Sequence, residues 1–175
     1  MNRRCAIRQL VTLTGGVLVL HSCIEDRSTA SLSLKNYTLT GDQENLLAML
    51  AETFIPKTST PGGRDIYAHH FAMKMVDDCM STADRERFLR GLEAFAENAR
   101  SMNGTSFHQT AIYGREKVVR ALQERKEEKD SDETFFYKRM KNLTIRAYTS
   151  SKFYLTDVQP YELVPSRWSG CVAVS

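Results

Sequence analysis

The sequence predicts an all-α protein, a single irregular bundle of about five helices with an extended, strand-poor C-terminal arm. Three observations support this prediction. Apolar residues recur every three or four positions in several segments, capping residues precede most of these segments, and the alternating runs typical of strands are scarce. The chain has 175 residues, of which 42% are hydrophobic and 26% charged, as expected for one globular domain.

The first 22 residues have the layout of an export signal. Arg3, Arg4 and Arg8 precede an apolar stretch from Leu10 to Leu20, and small residues follow before Cys23. The stretch is about half as long as the roughly 20 apolar residues of a transmembrane helix. The Arg3-Arg4 pair is typical of a twin-arginine signal, and the general export route stays open as the alternative.

Residues 20–23 read Leu-His-Ser-Cys and resemble a lipobox, in which Cys23 carries the lipid and becomes the new N-terminus. Ordinary cleavage near Ser22 is the alternative. Residues 23–39 are polar and lack a period, which predicts a flexible tether before the helical domain of residues 40–175. The protein is therefore expected in the periplasm, anchored to the membrane as a lipoprotein.

The charge balance gives no reason to expect nucleic acid as a partner. The formal net charge is +3, with 24 basic and 21 acidic side chains. Three of the basic side chains lie in the leader, so the remainder of the chain has as many basic as acidic groups.

The first helix is predicted to begin after Thr40, whose spacing to Gln43 is that of a capping box. It ends at Ile55, because a proline at position 56 disfavours the helical conformation in the residue before it.

A rigid turn follows the first helix. Pro61 fixes its own φ, and the pair Gly62 and Gly63 permits backbone angles that other residues avoid. A second helix is predicted from about Asp65 to Cys79.

Three further helices are predicted after this turn. Ser81 has capping-box spacing to Asp84 and opens the third helix, which ends at Asn103-Gly104. A fourth lies within residues 109–128, and Asp132 is expected to cap the fifth. Their apolar faces are formed by Phe88, Leu92, Phe95, Ala99 and Met102 in the third helix, Val118, Val119 and Leu122 in the fourth, and Phe136, Met140, Leu143 and Ala147 in the fifth. The charged run of residues 124–133 is expected to be solvated.

After Ser150 the helical period stops, and no helix is expected in the arm of residues 151–175. The arm is rich in aromatic residues and broken by prolines, which suits an interface with another protein. Packing on its own bundle is the alternative. The candidate partner-binding residues are Phe153, Tyr154, Tyr161 and Trp168.

Motifs for catalysis or cofactor binding are absent from the sequence, which has no CxxCH, GxGxxG, GxSxG or HExxH. His69 and His70 are adjacent and should point about 100° apart on a helix, one toward the core and one toward solvent. We therefore predict no metal ligands. Asp77 and Asp78 are expected on a solvated face.

Two cysteines remain outside the leader and the lipobox. Cys79 and Cys171 would form a disulfide between the second helix and the arm in an exported protein, or would be two separate buried residues.

Several short motifs are distributed from Leu46 to the end of the chain. They are Ile-Pro-x-Thr, Pro-Gly-Gly before a helix with a phenylalanine, Phe-x-x-Gly-Leu, the segment FFYKRMKNLTIRAYTSS, and a C-terminal Tyr, Val-Pro, Trp, Gly-Cys-Val order. The set resembles the small subunit, subunit 3, of gluconate 2-dehydrogenases. Its motif residues are Ile55, Pro56, Pro61, Gly62, Gly63, Phe71, Tyr161, Val164, Pro165, Gly170 and Cys171.

The resemblance implies a non-catalytic subunit that assists the folding, export and assembly of an FAD-dependent dehydrogenase large subunit of the glucose-methanol-choline type. FAD is then expected in that partner, and haem c in a third, cytochrome c subunit. The protein itself is expected to associate with the membrane through its lipid or through the complex. Two alternatives stay open. They are an exported lipoprotein with an unrelated binding role, and a metal protein that uses His69, His70 or His108.

Replacing both Arg3 and Arg4 with Lys should abolish export by the folded-protein route, because that route reads the arginine pair itself. Cys23→Ala should separately release the protein from the membrane fraction. Fractionation and immunoblotting measure both effects. Normal export of the double-Lys variant would leave only a general export signal.

Overall fold

The computed structural model describes residues 30–124 and 131–159. These residues form five α-helices and no β-strand, which confirms the all-α prediction for this part of the chain. The helices are α1 (Gly41–Phe54), α2 (Ala68–Cys79), α3 (Thr82–Asn103), α4 (Ile112–Glu124) and α5 (Asp132–Thr149). A 3₁₀ turn, Phe107–Gln109, joins α3 to α4, and a π turn, Tyr154–Val158, follows α5. Within the described ranges no helix is long and apolar enough to cross a membrane.

The helix ends follow the capping chemistry of the sequence closely. Thr40 and Gln43 form the predicted capping box at α1. Ser81 caps α3, which ends at Gly104 in the left-handed conformation with φ of 73°. At α5, however, the cap is Ser131, whose side chain accepts a hydrogen bond from the backbone N–H of Thr134. The prediction that Asp132 caps α5 is wrong by one residue.

The turn between α1 and α2 is longer than predicted, because α2 begins at Ala68 rather than near Asp65. The N–H of Gly63 donates to the carbonyl of Ile55 over 2.7 Å, which folds the chain back onto the end of α1. A Cβ at Gly63 would overlap with the backbone carbonyl of Ala51. Tyr67 then adopts the left-handed conformation, with φ of 54°, before the helix starts. The residues from Gly63 to Tyr67 are therefore used by the turn and are not available to the helix.

The core lies where α3 packs along α5, the most extensive pairing of helices in the described part of the chain. Phe95 contacts Phe136 and Phe107 at ring-centroid distances of 5.5 and 5.1 Å, and Phe88 contacts Phe136 at 4.9 Å. Nearly all of the predicted apolar positions of α3, α4 and α5 are buried, and Met102 and Val119 are partly buried against the core. The apolar faces were therefore predicted correctly.

Asp77 lies inside the protein, and the prediction of a solvated face is wrong for this residue. It is 1% exposed and accepts hydrogen bonds from the backbone N–H groups of Lys35 and Asn36 over 2.7 and 2.8 Å. These bonds, led by that from Lys35, lower the pKa of the Asp77 carboxyl. Asp78 next to it is exposed and faces Lys35 and Lys74. The Asp77 carboxylate thus binds the segment before α1.

Residues 30–39, the described end of the predicted tether, lie against the bundle. The hydroxyl of Tyr37 donates to the carbonyl of Met73 in α2 over 2.8 Å, and Leu39 belongs to the core. Residues 23–29 lie outside the described part of the chain.

Two acidic residues at the start of α5 join it to α3. Asp132 accepts from Arg87 and Arg90 over 3.0 and 2.8 Å, and the buried Glu133 accepts from Asn98 over 2.7 Å. The prediction of a solvated charged run is therefore wrong at these two residues. Residues 125–130 of that run lie outside the described part.

The beginning of the C-terminal arm is helical, which contradicts the prediction that no helix follows Ser150. The π turn of residues 154–158 follows α5 after a short break at residues 150–151, and the N–H of Leu155 donates to the carbonyl of Ser151. The rings of Phe153 and Tyr154 both meet Tyr148 edge-on, at 6.2 and 6.1 Å. The arm therefore starts on its own bundle, and residues 160–175 lie outside the described part.

Gly91→Ala should destabilise the protein, because the new Cβ would overlap with the backbone carbonyl of Asp132 and with Phe136 in α5. We expect a net loss of about 1–2 kcal/mol in the free energy of unfolding, after the helix propensity gained by alanine. Urea unfolding followed by circular dichroism measures it.

Gly114→Ala in α4 is the matched control, because its Cβ meets mainly a movable methyl group of Thr110. This variant should be neutral or slightly stabilised. Equal stability of both variants would contradict the close packing of α3 on α5.

Candidate functional site

A polar cleft opens between α1 and the start of α2, with a volume of about 480 Å³. The turn before α2 supplies one wall, with Arg64 and Asp65 as its charged groups. Glu44 of α1 and Ser31 of the preceding segment supply the opposite wall. The cleft therefore collects side chains from three parts of the chain that are distant in sequence.

His69 and His70 lie side by side at the start of α2. Their ring centroids are 4.3 Å apart with an interplanar angle of 59°. The prediction that the two rings diverge is wrong, because the side chains extend far enough from their Cβ atoms to turn toward each other. Tyr67, held in the left-handed conformation, stacks on His70 at 5.3 Å. The rings form one aromatic cluster along the cleft.

The two histidines differ in burial, and that part of the prediction is correct. His69 is 6% exposed although it lines the cleft, whereas 32% of the His70 side chain is accessible to solvent. Burial lowers the pKa of His69 to about 4, and the neighbouring His70 adds to this effect. His69 is therefore neutral at pH 7. Its Nδ1 is buried and has no hydrogen-bond partner among the described residues.

Glu44 faces both histidines from α1. Its Oε1 lies 3.0 Å from Nε2 of His70, and its Oε2 accepts from the backbone N–H of Ser31 over 2.6 Å. The Ser31 hydroxyl also donates to Oε1. Burial raises the pKa of the Glu44 carboxyl, but the hydrogen bonds from Ser31 and His70 outweigh it and leave the pKa below its usual value. The carboxylate is thus ionised and held in one orientation.

These groups form a cluster of potential metal ligands. One ligand atom from each of Glu44, His69 and His70 lies within 4.8 Å of the other two. Two imidazoles and a carboxylate are a common donor set for transition metals. Sequence reasoning found the histidine pair but missed Glu44, because 25 positions separate it from His69 and only the fold brings them together.

The described residues of the family motif build the turn beside this cleft. Pro56 and Pro61 lie in the loop, and Gly62 and Gly63 pack against the end of α1. The carboxylate of Glu52 accepts from the N–H groups of Lys57 and Arg64 over 2.9 and 3.0 Å. Ile55 accepts the turn-closing bond, and Phe71 packs against the core. In the described structure these residues shape the backbone.

The remaining predicted site residues are only partly within the described chain. Cys79 is exposed at the end of α2, and His108 lies near Asp42, away from the histidine pair. Phe153 and Tyr154 are half-buried against Tyr148. The following residues lie outside the described part: Arg3, Arg4, Cys23, Tyr161, Val164, Pro165, Trp168, Gly170 and Cys171. The disulfide between Cys79 and Cys171, the export signal and the lipidation therefore stay predictions.

The family model described as Gluconate 2-dehydrogenase subunit 3 matches residues 41–165. No curated protein and no solved structure matches the chain. The matched range begins at the first residue of α1 and covers all five helices described above.

The burial of His69 predicts a loss of stability in mild acid. Its pKa is 6.5 when unfolded and about 4 when folded, so between these values the unfolded chain binds the extra proton. The free energy of unfolding should therefore fall as the pH falls from about 6.5 to 4. We expect a contribution of roughly 1–2 kcal/mol, allowing for solvent screening.

Urea unfolding at several pH values measures this contribution. His69→Gln should show a shallower loss over this range, whereas His108→Gln, which keeps the buried imidazole, should follow the unmodified chain. An unchanged pH profile for His69→Gln would refute the assignment.

Proposed function

Because the chain belongs to the gluconate 2-dehydrogenase subunit 3 family, we propose that it is the small, non-catalytic subunit of a membrane-associated dehydrogenase complex. Its partner is an FAD-dependent large subunit of the glucose-methanol-choline type, which oxidises gluconate or another sugar or alcohol. The match over residues 41–165 is the observation that carries this proposal. A subunit of this kind contributes contact surface and stability to the enzyme.

The sequence of this chain indicates which subunits of the complex bind the cofactors. This chain has no GxGxxG pattern for a dinucleotide, whereas the proposed reaction needs a flavin. FAD therefore belongs to the large subunit, and haem c to a cytochrome subunit that accepts the electrons. The small subunit takes no part in the chemistry under this proposal.

The leader supports a role in export. A twin-arginine signal directs proteins that are already folded, so a partner bound to this chain in the cytoplasm crosses the membrane with it. The large subunit then needs no export signal of its own. A lipid on Cys23 keeps the assembled enzyme at the periplasmic face of the membrane.

Two surfaces of the chain suit the contact with the large subunit. The arm is the first, because Phe153 and Tyr154 begin it on the surface of the bundle and its sequence continues to Tyr161 and Trp168. The start of α4 is the second, where Ile112 and Tyr113 are 52% and 79% exposed. We propose the arm as the contact, because aromatic side chains such as these serve as anchors in the pockets of a partner.

A pull-down tests the subunit role and the contact together. The gene of the large subunit is taken from the same genome and co-expressed with this chain. The large subunit should copurify with the full chain. It should become active outside the cytoplasm only when the chain is present. Trp168→Ala should weaken its binding by about 2 kcal/mol, roughly thirty-fold in affinity, as does the loss of a typical anchor. A chain that ends at Ser151 should bind more weakly still.

Tyr113→Ala is the matched control, because it also removes an exposed aromatic ring, and each variant is first checked for folding by circular dichroism. It should retain full binding. Loss of binding with Tyr113→Ala but not with Trp168→Ala would place the contact on α4 and refute the arm. Failure of the full chain to bind would refute the subunit proposal in favour of an exported lipoprotein with another role.

A further inference from the structure

We infer that Glu44, His69 and His70 form a binding site for one divalent transition-metal ion of the Zn²⁺ class. This inference goes beyond the proposed subunit role and does not depend on it. It is carried by the convergence of three ligand atoms from α1 and α2, which all lie within 4.8 Å of one another.

The protonation states suit a metal. A metal ion needs an ionised carboxylate and neutral imidazoles. Hydrogen bonds from Ser31 keep Glu44 ionised, and the burial of His69 keeps its ring neutral. His69 also has a buried ring nitrogen, Nδ1, that no hydrogen bond satisfies within the described chain. The protein thus holds a neutral imidazole beside a carboxylate before any ion arrives.

The geometry requires a small closing movement. Zn²⁺ binds nitrogen and oxygen at about 2.1 Å, so tetrahedral ligand atoms lie about 3.4 Å apart. Nε2 of His70 and Oε1 of Glu44, at 3.0 Å, are already near this separation. Since no two of the three ligand atoms are more than 4.8 Å apart, side-chain rotation by about 1 Å is enough to complete the site. On binding, the ion replaces the hydrogen bond between His70 and Glu44.

Neighbouring residues fix the orientation of these ligands, as the residues around known metal sites do. Ser31 contacts both oxygens of the Glu44 carboxylate, and Tyr67 stacks on the ring of His70. Arg64 and Asp65 are the charged residues of the turn that lines the cleft, and Asp65 is paired with Lys57 over 3.1 Å. Three protein ligands would leave one position of a tetrahedral ion for a water molecule or a group from a partner.

The choice of metal follows from the donors. Two imidazole nitrogens and one carboxylate oxygen favour Zn²⁺, Co²⁺, Ni²⁺ or Fe²⁺ over Ca²⁺ and Mg²⁺, which prefer oxygen ligands alone. The site should therefore discriminate strongly against Mg²⁺.

Calorimetric titration of the full chain, purified in detergent and freed of metal by a chelator, tests the site with Zn²⁺ as the probe. We expect one ion per chain, and no binding of Mg²⁺. His70→Ala and Glu44→Gln should each weaken Zn²⁺ binding by about tenfold or more. His108→Ala removes a histidine outside the cluster and should bind as the unmodified chain does.

Titration with Co²⁺ identifies the ligands independently. Visible absorption of the bound Co²⁺ should show nitrogen and oxygen coordination without the near-ultraviolet charge-transfer band of a thiolate, and Cys79→Ser should leave it unchanged. Circular dichroism confirms that each variant is folded, and His69→Gln serves as a further ligand variant if it passes this check. Absence of saturable binding, or equal affinities for the His70→Ala, Glu44→Gln and His108→Ala variants, would overturn the inference.

Discussion

The structure depends on the close approach of the loop before α2 to the end of α1. Gly63 lies against the carbonyl of Ala51, where no side chain fits, and its N–H closes the turn on Ile55. Glu52 tightens the same turn by accepting two backbone N–H groups of the loop. This contact fixes where α2 starts, and the start of α2 decides which way its first side chains face.

The position of α2 determines the contacts that side chains make at both of its ends. Its first turn presents His69 and His70 to Glu44 of α1, and its last turn presents Asp77 to the segment before α1. That segment is therefore bound at two points, by Glu44 through Ser31 and by Asp77 through Lys35 and Asn36. Residues 30–39, which the sequence predicts to belong to a flexible tether, therefore contribute to the wall of the cleft. At each point a carboxylate accepts hydrogen bonds from backbone N–H groups. These bonds replace the hydrogen bonds to water that a charged group loses on burial.

The second half of the bundle is organised by a different contact. Gly91 lets α3 approach α5 closely, and the phenylalanine rings of both helices fill the layer beside it. Asp132 pairs with Arg87 and Arg90 at the edge of this layer, which aligns the start of α5 with α3. α2, which carries the histidines of the cleft, also packs along α5, so the cleft and this layer belong to one bundle.

The sequence by itself determined the helical class, the starts of α1, α3 and α5 to within a residue or two, and the buried faces, because capping and a period of 3.6 residues are local properties. Thr40, Ser81 and Phe136 illustrate this. The family resemblance was also readable from short motifs, and the match over residues 41–165 confirms it. Only the tertiary structure decided the start of α2, the burial of Asp77 and the meeting of Glu44 with the histidine pair. These features depend on contacts between residues eight or more positions apart, and no local pattern encodes which distant group a side chain will meet.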